Sequence, residues 1–113
     1  MVLTQGTLQI RGNRMEVRQD KEGFRHGVAW GNLAYFRQKR DGVDETIQGE
    51  AERIEYDGRN DTVRFVNRAV IRRYRGGTLA DETAGSVIMY DNLREVFSVV
   101  GGGASSATPA LAS

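Results

Sequence analysis

The chain has 113 residues, with 16 Lys and Arg against 15 Asp and Glu, a formal net charge of +1. That length supports one domain around one core, and so even a balance gives no field to hold a nucleic acid. The absence of cysteine excludes a disulfide scaffold and a thiolate metal site, and no apolar run approaches the roughly 20 residues of a membrane-spanning helix.

From the start the pattern is alternation. Leu8, Ile10 and Gly12 alternate with Thr7, Gln9 and Arg11; Met15 and Val17 flank Glu16; Val28 and Trp30 flank Ala29. Further on, Ile54 and Tyr56 flank Glu55, and Val63 and Phe65 flank Arg64. Period two places the apolar members of each set on one face of a strand. Turn chemistry falls between the sets, at Asp20-Lys21-Glu22-Gly23, Asp41-Gly42, Asp57-Gly58-Arg59-Asn60, Gly76-Gly77 and Asp91-Asn92. The pattern predicts an all-β domain over residues 1–100, with about seven to nine short strands and no helix. Residues 101–113 are Gly, Ala, Ser, Thr, one Leu and one Pro, and are expected to form a flexible tail.

The sequence also repeats. Arg53-Ile54-Glu55-Tyr56-Asp57 recurs as Val87-Ile88-Met89-Tyr90-Asp91, and the same register pairs Val63 with Phe97 and Phe65 with Val99. An earlier copy begins at Arg14-Met15-Glu16-Val17. The stretch Trp30-Gly31-Asn32-Leu33-Ala34-Tyr35-Phe36-Arg37 corresponds to Phe65-Val66-Asn67-Arg68-Ala69-Val70-Ile71-Arg72. The alignment of Gly6-Thr7-Leu8 with Gly77-Thr78-Leu79 starts the chain within a repeat. An upstream strand or two is therefore expected to precede it. No secretory signal opens the chain, so an exported protein would be represented here in mature or trimmed form.

One copy cannot bury its own apolar face, so copies must stack into two facing antiparallel sheets. The side chains expected between them are Trp30, Phe36, Ile54, Tyr56, Val63, Phe65, Ile71, Ile88 and Tyr90. Small residues (Ala34, Gly49, Ala51, Ala69, Gly85) share that face, either opening a groove or letting the sheets approach. Tyr35 and Val70 are apolar too, which leaves the inward parity near Phe36 and Ile71 open. Arg37, Arg40, Arg72 and Arg73, with Lys39 and Arg75, follow equivalent strands. They read as a rim for phosphate groups or as solvated strand ends. His26, the one histidine, is expected in a loop; without a second histidine or a cysteine it makes no zinc site. Asp57 and Asp91 are expected to accept turn amides. Glu50, Glu52 and Glu55 read as the polar outer side of a strand rather than as a hydrolytic carboxylate pair.

The stretch Gly49-Glu50-Ala51-Glu52-Arg53-Ile54-Glu55-Tyr56-Asp57, followed by Val63-x-Phe65 and Asn67-x-Ala69, resembles the repeat of the lipopolysaccharide-transport A (LptA/OstA-like) family. So does Val2-Leu3-Thr4-Gln5-Gly6-Thr7-Leu8-Gln9-Ile10-Arg11-Gly12 with Arg14-Met15-Glu16-Val17. The motif is shared with LptC and with the periplasmic part of LptD; the succession of copies without anchor or barrel favours the LptA type. The resemblance implies a twisted open β-jellyroll in the Gram-negative periplasm. It implies a non-enzymatic protein that binds lipopolysaccharide by the lipid A acyl chains, with no cofactor. It also implies edge-strand contacts to LptC and LptD, and head-to-tail self-association, as part of a bridge from inner to outer membrane. Each methylene kept from water is worth about 0.8 kcal/mol, so free diffusion of several acyl chains through an aqueous gap is excluded. The competing reading is a structural β-repeat adaptor whose interior is filled and whose edges recruit other β-domains. A third is a carbohydrate-binding module with Trp30 and Tyr56 as stacking platforms.

Overall fold

The computed structural model describes residues 2–40 and 42–100. Residues 101–113, expected as a tail, lie outside the described residues. Eight strands follow one another: β1 (Val2–Gln5), β2 (Leu8–Arg11), β3 (Arg14–Gln19), β4 (Arg25–Lys39), β5 (Glu45–Asp57), β6 (Thr62–Arg75), β7 (Thr78–Asp91) and β8 (Val96–Val99). All pairings are antiparallel, and the sheet runs β1-β2-β4-β5-β6-β7-β8 with β3 beside β4. It does not close on itself.

The expected short strands are corrected here. Strands β4 to β7 are 13 to 15 residues long because each runs through a corner that carries no turn signal. Register shifts fall side by side between Trp30 and Ala34 on β4, Glu50 and Arg53 on β5, and Val66 and Ala69 on β6. An extra residue bends a strand sharply, and aligned bulges fold a whole sheet. At this corner Asn67 and Arg68 stand at φ 67° and 54°, the left-handed region. Ala34, Ala51 and Ala69 are fully buried on its inner side, where larger side chains would hold the layers apart.

The two facing layers are therefore two walls of one folded sheet. The first wall holds β1, β2 and residues 34–39, 45–50, 69–75 and 78–85. The second holds β3, residues 25–30, 53–57, 62–66 and 87–91, and β8. The walls meet at the corner and face each other out to the turns, where the wedge has its mouth. The turns of the second wall share one chemistry. Asp20 Oδ1 accepts from the amides of Glu22 and Phe24, Asp57 Oδ1 from Arg59 and Asn60, and Asp91 Oδ1 from Leu93 and Arg94, at 2.9–3.3 Å. His26 is the second residue of β4 rather than a loop residue. Its Nε2 lies 3.0 Å from Asp20 and its Nδ1 3.4 Å from Asp57, tying two of those turns together.

Candidate functional site

The register defines what lies between the walls. On the second wall two cross-strand rows face inward. One runs Met15, Ala29, Ile54, Phe65, Ile88, Val99; the other runs Val17, Gly27, Tyr56, Val63, Tyr90, Phe97. Neither contains a charged side chain. Each crosses six strands, about 24 Å at the usual spacing between strands. The first wall faces them with Leu3, Ile10, Phe36, Gly49, Ile71 and Thr83 in one row. Its second row runs Leu8, Gln38, Ile47, Arg73, Asp81, turning polar toward β7.

The space between the walls is occupied. Phe36 meets Phe65 edge-on at 5.4 Å between ring centroids and Tyr90 at 6.2 Å. Tyr90 stacks in turn on Phe97 at 4.6 Å. These edge contacts suit the ring quadrupoles and add about 0.5–1.5 kcal/mol each beyond burial. Burial also drives the phenols of Tyr56 and Tyr90 above their ordinary range, because the charged form loses its water. The rows are covered in the middle and uncovered at both sheet edges: Val17 is 49% exposed beside β1 and β3, and Val99 is 50% exposed beside β8.

Eight of the nine side chains expected between the sheets are buried there: Phe36, Ile54, Tyr56, Val63, Phe65, Ile71, Ile88 and Tyr90. Trp30 is the correction. It faces outward under the Arg14 guanidinium, 4.8 Å from the ring centroid. Its neighbours Gly27 and Ala29 face inward instead. Bulk misleads here, because Gly27 is where Leu3 of the opposite wall comes in; a β-carbon on Gly27 would sit 3.4 Å from Leu3 Cδ1.

The four rim arginines separate. Arg37 is exposed and Arg72 lies on the outer face, where Arg72 Nε donates to Glu82 at 2.7 Å. That bond, with Glu50 nearby, raises the Arg72 guanidinium above its usual value. Arg40 and Arg73 are at the mouth. Arg73 Cζ lies 5.7 Å from the Phe97 ring centroid, and Arg40 pairs with Glu45 of its own wall and Glu95 of the other. Burial pushes the Glu45 carboxyl up, but the hydrogen bond from Arg75 and the charges of Arg40, Arg73 and Arg75 outweigh it and hold the group below its usual range. Arg25 adds a second link across the mouth, its Nη1 donating to the Thr4 carbonyl at 3.1 Å. Glu50, Glu52 and Glu55 all lie outside, paired with Arg72, Arg68, and both Arg53 and Arg64 respectively.

Leu3, Met15, Val17, Phe97 and Val99 also face the interior and were not singled out as site residues. For Phe97 and Val99 the signal existed, since the repeat makes them the equivalents of Val63 and Phe65. For Glu45 and Glu95 it did not, because nothing local predicts a pair between turns of different walls.

Comparison with known proteins decides the family. The model of the LptA/(LptD N-terminal domain) lipopolysaccharide transport proteins matches residues 1–96. The chain belongs to this family. Among solved structures, LptH of Pseudomonas aeruginosa, the LptA-homologous periplasmic component of the lipopolysaccharide transport device, is similar over 96% of this chain and 71% of its own. The TM-score is 0.77 at 25% identity. No match was found among curated proteins. The open, folded sheet is thus the β-jellyroll of the LptA type, and the family's role is lipopolysaccharide transport. No helix among the described residues is long and apolar enough to cross a membrane.

Proposed function

We propose that this LptA-type chain carries the acyl chains of lipopolysaccharide between its walls, as one link of a periplasmic bridge from inner to outer membrane. The observation behind this reading is the pair of charge-free rows on the second wall, buried at their centre and half exposed at both edges. Acyl chains would displace side-chain contacts with contacts of the same kind. Because the Phe36–Phe65–Tyr90 cluster fills the centre, entry requires the walls to part from the mouth while the corner holds. At both edges the outer backbone of β1 and β3, or of β8, can accept a further strand. A neighbouring β-domain added there, from LptC, LptD or another copy, would extend the same rows. The reaction asked of the chain is transfer without bond cleavage, and none of the inner-row residues is placed as a nucleophile beside a base.

A photoreactive amino acid at Val99 or Phe97 tests this in cells that make lipopolysaccharide. The carrier yields adducts with the glycolipid, and Val99→Asp, at an exposed site that folding tolerates, weakens glycolipid binding. The filled interior favours one alternative, a structural adaptor. Protein adducts at the edges with no lipid adduct from Phe97, Val99 or Phe65 would establish that alternative.

A further inference from the structure

The mouth of the wedge holds a group of charges for which apolar transport has no use. Arg40 leaves the end of β4 with only 14% of its side chain exposed and lies between two carboxylates. Glu45 is nearly buried and also accepts from Arg75 Nε at 3.0 Å. Glu95 comes from the opposite wall and is half exposed. Its backbone stands at φ 61°, held in the turn after β7 by the bond from its N–H to the Asp91 carbonyl at 2.7 Å. Among the ion pairs of the described residues, Arg40–Glu95 is the one that joins the two walls across the mouth.

The two carboxylates differ in how they can leave. Glu45 is held by both Arg40 and Arg75 with 9% of its side chain exposed, whereas Glu95, half exposed, need only rotate outward. Arg40 Nε is buried without a partner among the described residues, and so are Gln38 Oε1 and the Tyr90 hydroxyl. Buried polar atoms are seldom left so. Arg40 borders a cleft that is also lined by Arg73, Arg75 and Arg94 against Asp44, Glu45 and Glu95. With Glu95 turned away, Arg40 keeps only Glu45, while Arg73 stays paired with Asp81 at 3.2 Å and Arg94 with Asp91 at 3.7 Å. A phosphate monoester, with about −1.5 to −2 charge at neutral pH, supplies the anion that Glu95 withdraws and can be gripped bidentately by guanidinium.

We propose that Arg40, with Arg73 and Arg75, forms a phosphate-binding site, and that Glu95 is the internal anion occupying it when no phosphate is bound. The proposal rests on the carrier reading for the source of the phosphate: the headgroup of an acylated glycolipid whose tails pass between the walls at Phe97, directly under Arg73. Phosphate then takes the place of Glu95 on Arg40, and the tie across the mouth is released. Recognition of the headgroup and parting of the walls become one event.

The test uses the full chain with three probes: hexaacyl lipid A, the same lipid freed of its phosphates, and inorganic phosphate. The chain has no cysteine, so spin labels at Thr78→Cys and Leu93→Cys report the distance across the mouth. The phosphorylated lipid should bind about tenfold more tightly than the dephosphorylated one and lengthen that distance. Glu95→Gln should lengthen the distance without any ligand and bind both lipids more tightly, roughly tenfold, because either one needs the tie broken. Arg40→Gln should abolish the preference; because it strips a partner from Glu45, the Glu95 variant carries the test if that protein does not fold. Equal affinity for both lipids, unaltered in Glu95→Gln, overturns the phosphate site and leaves the carrier reading standing. If neither lipid binds but inorganic phosphate lengthens the distance, the site stands, its ligand is free phosphate, and the carrier reading falls.

Discussion

Gly49 of the first wall and Phe65 of the second are in direct contact across the wedge: a β-carbon on Gly49 would stand 2.6 Å from Phe65 Cε2. The backbone of one wall is thus the floor under an aromatic ring of the other. Gly49→Val should cost about 1–3 kcal/mol, because the ring and its neighbours Phe36 and Tyr90 have no free volume to move into. Urea unfolding measures it, and Phe65→Leu in the same chain should recover part of the loss. Equal stability of Gly49→Val and the parent would show that the walls are not packed at this point.

The corner makes its own prediction. Asn67 tolerates the left-handed region because its short amide can bond locally, whereas a β-branched residue does not. Asn67→Val should destabilise by roughly 1–2 kcal/mol, and Asn67→Gly by much less. If Val and Gly behave alike on thermal unfolding, the corner does not depend on this backbone conformation.

How far the sequence foretold this follows from what each residue's neighbours could reveal. Ile54 and Tyr56 read as inward because Arg53, Glu55 and Asp57 flank them, and Ile88 and Tyr90 follow by the repeat, since Val87 and Met89 beside them are apolar. Trp30 reads as inward but is not, because the inward residues beside it are Gly27 and Ala29 and hydrophobic bulk points away from the interior. The corner was invisible: Asn67-Arg68 sits inside a strand pattern and bends it by backbone conformation alone. Whether the space between the walls is open or filled depends on rings from three strands, β4, β6 and β7, meeting at once. No single stretch of sequence encodes that.

Tyr90 places a buried hydroxyl without a partner among the described residues, with the charges of Arg40, Asp61, Glu45 and Arg73 around it. Tyr90→Phe removes the desolvation cost of that oxygen and should raise stability by about 1 kcal/mol. Its phenol should ionise only above the ordinary value of 10.0, since burial opposes the charged form. The ultraviolet absorbance titration of Tyr90→Phe, subtracted from that of the parent, isolates this group. A component at or below 10 would place Tyr90 in contact with water.

Acid should loosen the turns and the mouth together. The Asp20 carboxyl is lowered from 3.8 first by the hydrogen bond with His26. For Asp57 and Glu45 burial raises the value, but hydrogen bonds from Asn60 and Arg75 and nearby positive charge prevail, lowering them from 3.8 and 4.5. With these groups depressed in the folded chain, the unfolded chain takes up protons first. Their stabilisation is complete above about pH 4.5 and is lost as pH falls through the folded values. Unfolding temperatures should be level from about pH 7 to 5 and decline below that, with a shallower decline in Asp20→Asn and Glu45→Gln. A midpoint as high near pH 3 as near pH 6 would contradict this account.

The second wall's two inner rows have one more implication. A fatty tail displaced sideways by one strand, about 4.8 Å, exchanges one set of aliphatic and aromatic neighbours for an equivalent set. Once the walls have parted, as the carrier reading requires, the potential along these rows has neither a downhill end nor a step that resists return. Such a surface permits travel but cannot choose a direction; net flow would be set by pressure of supply at one end and removal at the other.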